Sequence, residues 1–224
     1  MMRILMIEPI GKIGGMHQYT NSLLTELVKL NVNIKLITSA HAKNDFNPRL
    51  QVNFLFGTIF RSKNYLLNIF LFFRGAIKSL LISFFENRKI IHLHFFGFKS
   101  YFFLLFSLFY FFRREIIITI HDIEELTKQR KRNFSLRLSL HIFMKSDACI
   151  VHNNFTKKSL NYLSKVKIKN IYIINHGNYD DYVKNLKAKY KNSFNYKNIF
   201  KSKFKHILFF GSIKEKDNKK LNIS

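Results

Sequence analysis

Histidine, glycine and aspartate follow several short apolar runs in this sequence, at points where strands are expected to end. The segments are Gly11-Lys12-Ile13-Gly14-Gly15, His92-Leu93-His94, Thr119-Ile120-His121-Asp122 and Asn175-His176-Gly177. In a parallel sheet, ligands bind beyond the carboxyl ends of the strands. The four segments therefore contain the candidate site residues.

The glycine pair Gly14-Gly15 precedes a predicted helix. Glycines at this point leave backbone N–H groups accessible at the positive end of the helix dipole, which suits a phosphate group. The spacing matches neither the dinucleotide pattern G-x-G-x-x-G nor a P-loop with Lys followed by Ser or Thr. From the residues alone, a phosphate contact and a tight turn without a ligand both remain open.

The histidines are better suited to hydrogen bonding than to metal binding. His92 and His94 share one face if their strand continues, but no Cys/His spacing supplies further ligands, so we expect no metal site. His121 follows an apolar strand, where it can bond to a substrate hydroxyl, and Asp122 can cap the next helix. A polar pair that merely ends the strand is the alternative. Turn chemistry alone accounts for His176-Gly177.

Other catalytic patterns do not stand out in the sequence. There is no Ser-His-Asp order or zinc motif, and only 13 residues are Asp or Glu, which leaves few candidates for acid–base catalysis. The single cysteine, Cys149, cannot form an internal disulfide and favours a reducing compartment. Glu8 and Pro9 interrupt the first apolar run, so we expect no signal peptide and a cytoplasmic location.

The net charge of +25 indicates an anionic partner: nucleic acid, an anionic membrane or a phosphate-bearing substrate. The alternative is a general preference for Lys, Asn, Ile and Phe, since the basic residues are spread along the chain. No recognised nucleic-acid-binding motif accompanies the charge. A nucleic-acid-binding module is therefore the weakest of the functional classes, and we expect no nucleic-acid partner.

Two apolar segments are long enough to affect membrane contact. Tyr65–Phe85 contains Arg74 and Lys78, which are costly in the middle of a membrane span. Tyr101–Phe112 is too short to cross a bilayer. Both are predicted to be helices that cover a sheet. Their apolar faces with nearby Lys and Arg favour peripheral attachment to an anionic membrane surface, without a span.

Short β-branched runs alternate with longer helical patterns, which is typical of a parallel sheet covered on both faces. The predicted strands are Arg3–Ile7, Asn33–Thr38, Gln51–Phe56, Lys89–Leu93, Glu115–Ile120, Ala148–Val151, Asn170–Ile174 and His206–Phe210. The predicted helices are Met16–Leu30, Tyr65–Phe85, Lys99–Phe112, Phe134–Met144 and Thr156–Leu163. The fold class is therefore α/β, with a Rossmann-like domain over residues 1–178. Residues 179–205 are predicted to be a linker, and residues 206–224 the truncated start of a second domain.

Six segments, in order, resemble the motifs of family 4 glycosyltransferases (glycosyl transferases group 1), which have the two-domain GT-B fold. They are Arg3–Ile7 with Gly14-Gly15-Met16, Ile90–His94, Ile117–Asp122, Ser146–Val151, Ile173–Gly177 and Ile207–Ile213. The last segment resembles the first strand of the donor-binding domain. The resemblance implies sugar transfer from a nucleotide-sugar, as donor substrate without a further cofactor, to a glycan or lipid-linked acceptor in the synthesis of cell-surface polysaccharide.

The resemblance also implies roles for individual residues. His121 matches the histidine that contacts the transferred sugar, and it is the candidate catalytic residue. Four residues are expected to bind the donor phosphates: Gly14, Gly15, Gly211 and Lys214. Two histidines, His94 and His17, are expected on the acceptor side.

Beyond Lys214 the sequence departs from the family pattern, because Asp217-Asn218 stand where Lys-Gly is usual. The rest of the second domain would hold the nucleotide and neutralise the departing diphosphate. We therefore expect the chain to be inactive alone. The alternative function is a non-catalytic remnant or an acceptor-binding subunit, which would need a separate chain carrying the donor-binding domain.

Overall fold

The computed structural model describes residues 2–11, 16–42, 46, 49–57, 64–95, 99–121, 133–164, 168 and 170–175. The chain divides into two units, residues 1–180 and 181–224, and every described residue lies in the first. The linker predicted at 179–205 and the second-domain segment predicted at 206–224 fall outside the described residues and stay predictions.

Seven parallel strands form one sheet. They are β1 (Arg3–Glu8), β2 (Asn33–Thr38), β3 (Gln51–Phe54), β4 (Ile90–Phe95), β5 (Glu115–Ile120), β6 (Ala148–Val151) and β7 (Ile171–Ile173). Their order across the sheet is β3-β2-β1-β4-β5-β6-β7. The direction of winding reverses between β1 and β4, so a crevice for ligands is expected beyond the carboxyl ends of these two strands.

Within the described ranges, five α-helices accompany the strands. They are α1 (Met16–Lys29), α2 (Tyr65–Phe85), α3 (Lys99–Phe111), α4 (Asn133–Lys145) and α5 (Asn154–Ser164), and a short 3-10 helix spans Ala40–Ala42. The predicted α/β class with a Rossmann-like parallel sheet is confirmed. Each described α-helix and strand lies within two residues of its predicted bounds, and the 3-10 helix was not predicted.

Two strands differ from prediction in a way that affects the site. β4 continues to Phe95 because its ladder with β5 continues, with His94 paired to Thr119. His94 therefore lies inside a strand and not beyond its end. β3 stops at Phe54, because the backbone N–H groups of both Leu55 and Phe56 turn to the carbonyl oxygen of Thr38.

Alternation along the strands divides the core between the two faces of the sheet. On β1, Leu5 and Ile7 join the larger cluster, which contains side chains of α2, α3, α4 and α5. Ile4 and Met6 join the smaller cluster with Leu24 of α1. Helices therefore cover both faces, as predicted, and hold the strands in the register that brings their carboxyl ends together.

Helix α2 packs one side on the sheet and leaves the other open. Asn64 caps it by accepting a hydrogen bond from the N–H of Leu67 at 3.0 Å, and Gly75 lets it approach the ring of Phe56. By length and composition, Leu66–Phe85 is the one helix of the described part that could cross a membrane. A third of its apolar window is buried inside the protein.

Candidate active site at the carboxyl edge

Four histidines form a row across the carboxyl edge of the sheet. His92 and His94 lie on β4, His121 follows β5, and His152 follows β6. Successive ring centroids in this order are 5.0, 5.2 and 5.0 Å apart. We call these residues the histidine row.

Strand register explains why residues so distant in sequence meet. His94 pairs with Thr119 across β4 and β5, and Ile120 pairs with Val151 across β5 and β6. The next residues along β5 and β6 are His121 and His152, so they become neighbours. Parallel pairing thus converts three separate strand ends into one row of rings.

Tyr19, in the first turns of α1, packs against three members of the row. Its ring centroid lies 4.6 Å from that of His121, 5.3 Å from His152 and 5.6 Å from His94, each at a steep interplanar angle. The edge-to-face arrangement is favourable for aromatic rings. The start of α1 therefore lies at the same edge of the sheet as His121.

Hydrogen bonds orient the rings of His92 and His152. His92 Nε2 lies 2.7 Å from the hydroxyl of Thr119. His152 Nδ1 lies 2.9 Å from the carbonyl oxygen of Ile174, and its Nε2 lies 3.2 Å from Nδ1 of His121. Neither ring nitrogen of His94 has a hydrogen-bond partner among the described residues.

Burial sets the charge of His92 and His94, two members of the row. It lowers the pKa of His92 to about 4. It also lowers the pKa of His94 to well below its usual value, and repulsion from His92, His121 and His152 lowers it further. Both rings are therefore neutral at pH 7 and can exchange hydrogen bonds without carrying charge.

Glu8 is a functional candidate that the sequence analysis missed. It ends β1 at the point where the winding reverses, and its side chain is fully buried. Its Oε1 accepts hydrogen bonds from the N–H groups of Ile10 and Gly11 at 2.8 and 2.9 Å, and the Thr38 hydroxyl lies 3.0 Å from Oε2. Burial raises its pKa to about 8, although these hydrogen bonds oppose the rise.

In the sequence analysis, Glu8 was interpreted only as a residue that interrupts an apolar run. A signal was present, since an acidic residue directly after four apolar strand residues must either reach water or find buried partners. Its partners belong to the loop that leads to Gly14-Gly15 and to β2. Protonated Glu8 therefore stabilises the start of the predicted phosphate-binding loop.

The structure places some of the predicted site residues and not others. His121 is half-buried beside the row, His94 is only 1% exposed, and His17 is half-buried in the first turn of α1. The predicted donor contacts lie outside the described residues: Gly14, Gly15, Gly211 and Lys214. Asp122, His176 and Gly177 also lie outside them. Across the described part of the chain, no group of three or more His, Cys, Asp or Glu is placed to hold a metal ion.

Comparison with known proteins gives a family and a fold. Residues 13–178 match the family model described as Glycosyltransferase Family 4. Among solved structures, the sucrose-phosphate synthase of Thermosynechococcus elongatus has a TM-score of 0.59 and 15% identity, covering 80% of this chain and 49% of that one. A glycosyltransferase from Rickettsia africae ESF-5 has a TM-score of 0.52 and 18% identity, covering 87% and 50%. The chain spans about half the length of these structures, and no curated protein sequence matches it.

Proposed function

Because this chain belongs to glycosyltransferase family 4, we propose that it forms the acceptor-side half of an enzyme that transfers a sugar from a nucleotide-sugar to a glycan or lipid-linked acceptor. The observation that carries the proposal is the uncharged, hydrogen-bonding character of the carboxyl edge. Near pH 7, His92 and His94 are neutral and Glu8 is protonated. Neutral donors and acceptors suit the hydroxyl groups of sugars.

His121 is the residue proposed to contact the transferred sugar. It directly follows β5 and is half-buried, whereas His94 is buried beneath Tyr19 and the other rings. A ligand beyond the edge of the sheet can therefore reach His121 more easily than His94. We assign His17 to the acceptor side, and His94 to supporting that side from within.

The donor diphosphate requires positive charge that the buried imidazoles do not supply. Gly14 and Gly15, at the amino end of α1, are proposed to approach the phosphates, and Gly211 and Lys214 to meet them from a second domain. The chain spans about half the length of the solved structures that it resembles, and in this proposal a donor-binding domain supplies the other half of the site. The nucleotide-sugar is a substrate in this proposal, and no further cofactor is invoked.

The outer face of α2 supports a location at the cytoplasmic surface of a membrane. Six apolar side chains spaced three or four residues apart are exposed along it: Leu66, Phe70, Phe73, Ile77, Leu81 and Phe84. Arg74 and Lys78 are exposed beside this stripe. An apolar stripe flanked by cations suits an anionic bilayer interface, where a lipid-linked acceptor for cell-surface polysaccharide would lie.

A vesicle flotation assay tests the membrane proposal. The chain should float with vesicles that contain phosphatidylglycerol and should be largely released by high salt, because part of the attraction is electrostatic. Ile77→Glu should reduce flotation severalfold. Tyr162→Glu adds the same charge at an exposed position on α5 and should have little effect. Equal flotation of Ile77→Glu and the unmodified chain would contradict the assignment of α2.

Release of nucleoside diphosphate from a panel of nucleotide-sugars tests the enzymatic proposal. The unmodified chain should show no acceptor-dependent release, because in this proposal a second domain supplies half of the donor site. A fusion to a GT-B donor-binding domain, with residues 214–224 replaced by the usual family pattern, should show it. Restoration by a separate chain in trans would favour the acceptor-binding subunit. Clear release by the unmodified 224-residue chain would contradict the requirement for a second domain.

A further inference from the structure

His152 has the bonding pattern of a residue that controls the protonation of its neighbour. Its Nδ1 lies 2.9 Å from the carbonyl oxygen of Ile174, and a carbonyl oxygen can only accept a hydrogen bond. The Nδ1 of His152 therefore carries a hydrogen. In a neutral ring, the other nitrogen, Nε2, then has only a lone pair to offer.

The lone pair on His152 Nε2 faces His121. The Nδ1 of His121 lies 3.2 Å away and must donate its hydrogen if the two nitrogens are to bond. We propose that His152 is a positioning residue, which holds His121 in the tautomer protonated at Nδ1. The Nε2 of His121 is then a hydrogen-bond acceptor.

The rings of the histidine row are crowded around His121 and His152. The centroids of His121 and His152 are 5.0 Å apart, and His94 lies 5.2 Å from His121. Tyr19 closes the same group of rings, with its centroid 4.6 Å from His121. A proton added to one imidazole would repel any charge on the others, and burial removes the water that would otherwise screen it.

The consequence for ligand choice rests on the proposed function. In the proposed enzyme, a neutral His121 with a lone pair on Nε2, an atom that is buried in this structure, would accept a hydrogen bond from a sugar hydroxyl brought against it on binding. It has no hydrogen at that nitrogen for a phosphate oxygen, which can only accept. The tautomer would therefore favour the hydroxyl face of a sugar over a phosphate group, and His152 would determine that preference without touching the ligand.

Imidazole nitrogen spectra of the full chain labelled with ¹⁵N-histidine test the proposal. At pH 8 the resonances of His121, assigned with His121→Asn, should show hydrogen on Nδ1 and a lone pair on Nε2. Those of His152 should also show hydrogen on Nδ1. A ring of His121 protonated at Nε2 in the unmodified chain would overturn the proposal, and the His121→Asn protein serves only to assign the resonances.

Substitution of His152 provides the second test of the proposal. In His152→Phe the aromatic ring is kept and the nitrogen acceptor is lost, so the His121 resonances should move to the Nε2-protonated form or to an average of the two. The His92 resonances, fixed by Thr119, report that the fold persists. His141→Phe changes an exposed histidine of α4 and should leave His121 unaltered. An unchanged His121 tautomer in folded His152→Phe would also overturn the proposal. Because neither test needs substrate or turnover, failure here is distinct from failure of the transferase assay.

Discussion

Ionisable groups are buried at both edges of the sheet, but the groups that surround them and the resulting pKa shifts differ. At the amino edge, Arg88 is 3% exposed and lies in an ion pair: it bonds to Glu86 at 2.8 Å and to the carbonyl oxygen of Ile4 at 2.8 Å. Lys35 pairs with the other oxygen of Glu86, and Asn33 accepts further bonds from Arg88. The pKa of Glu86 is lowered, because the hydrogen bonds and charges of Lys35 and Arg88 outweigh burial, which alone would raise it.

At the carboxyl edge the buried groups lose their charge. Glu8 has hydrogen bonds but no ion pair among the described residues, and burial raises its pKa to about 8, just as burial lowers the pKa of His92 to about 4. Paired charges at the amino edge hold strands and turns together. At the carboxyl edge, buried titratable groups such as Glu8 and His92 reduce the stability of the fold, and such groups are typical of functional sites. The comparison therefore supports the proposal that the carboxyl edge is the site of chemistry, whereas the ion pairs of the amino edge support the fold.

Removal of Arg88 should produce the largest loss of stability. Arg88→Met leaves Glu86 with one cation and the backbone acceptors of β1 and β2 without their donor. Breaking a buried ion pair from one side costs about 3–5 kcal/mol. Urea unfolding measures the change, and Lys29→Met, which breaks an exposed pair with Glu26, should cost less than about 1 kcal/mol. A loss for Arg88→Met as small as the loss for Lys29→Met would remove the contrast between the edges.

The pH dependence of stability should reveal the charge state of the carboxyl edge. The pKa of Glu8 is raised from 4.5 to about 8, so the folded protein keeps a proton that the unfolded chain releases, and stability declines as pH rises through this window. The pKa of His92 is lowered from 6.5 to about 4, so its contribution is lost as pH falls below 6.5. Between pH 6.5 and 8, Glu8 therefore dominates among these groups.

Glu8→Gln should remove the alkaline part of that profile. Gln keeps the shape of a protonated carboxyl group and has no proton to release. The free energy of unfolding of the unmodified chain should fall by about 2 kcal/mol between pH 6.5 and pH 8, and that of Glu8→Gln should be nearly flat. Thermal or urea unfolding at several pH values gives the comparison. Parallel profiles for the two proteins would mean that Glu8 is ionised in the fold.

Gly11 should show the smallest of these effects. Its φ of +70° lies in the left-handed region, and an added Cβ would lie 3.1 Å from the Cβ of Ser39. Gly11→Ala should therefore cost roughly 1–2 kcal/mol and weaken the bond from its N–H to Glu8. Gly57→Ala is a matched control, with φ +62° but only an ordinary contact to the flexible side chain of Leu71. If Gly57→Ala costs as much, crowding at Gly11 has no separate effect.

Much of the fold was predictable because periodicity reports burial directly. The nearly uniform apolar character of β1 and β5 specifies a sheet covered on both faces, and the bounds of α2 were predicted without error. Strand ends were less predictable. Whether β4 stops at Leu93 or Phe95 depends on how far its pairing with β5 extends. The sequence of neither strand alone shows that length.

The site was only partly predictable for the same reason. His94 and His121 were found from their positions near strand ends. His152 was missed because Val151-His152-Asn153 has no motif, and its importance arises from register with β5 and from the carbonyl oxygen of Ile174. Glu8 was missed because the sequence does not show that Thr38 and the loop amides surround it.

The most direct test of whether the carboxyl edge performs the chemistry is turnover by the fusion to a GT-B donor-binding domain, measured with His121 in place and with His121 substituted. His121→Ala should lower acceptor-dependent release of nucleoside diphosphate by about 100-fold, because a positioned contact in a buried site is lost. His141→Ala, at the exposed position on α4, should retain full activity. Both variants should unfold at nearly the same urea concentration as the unmodified fusion. Equal turnover by His121→Ala and His141→Ala would contradict the assignment of chemistry to this edge.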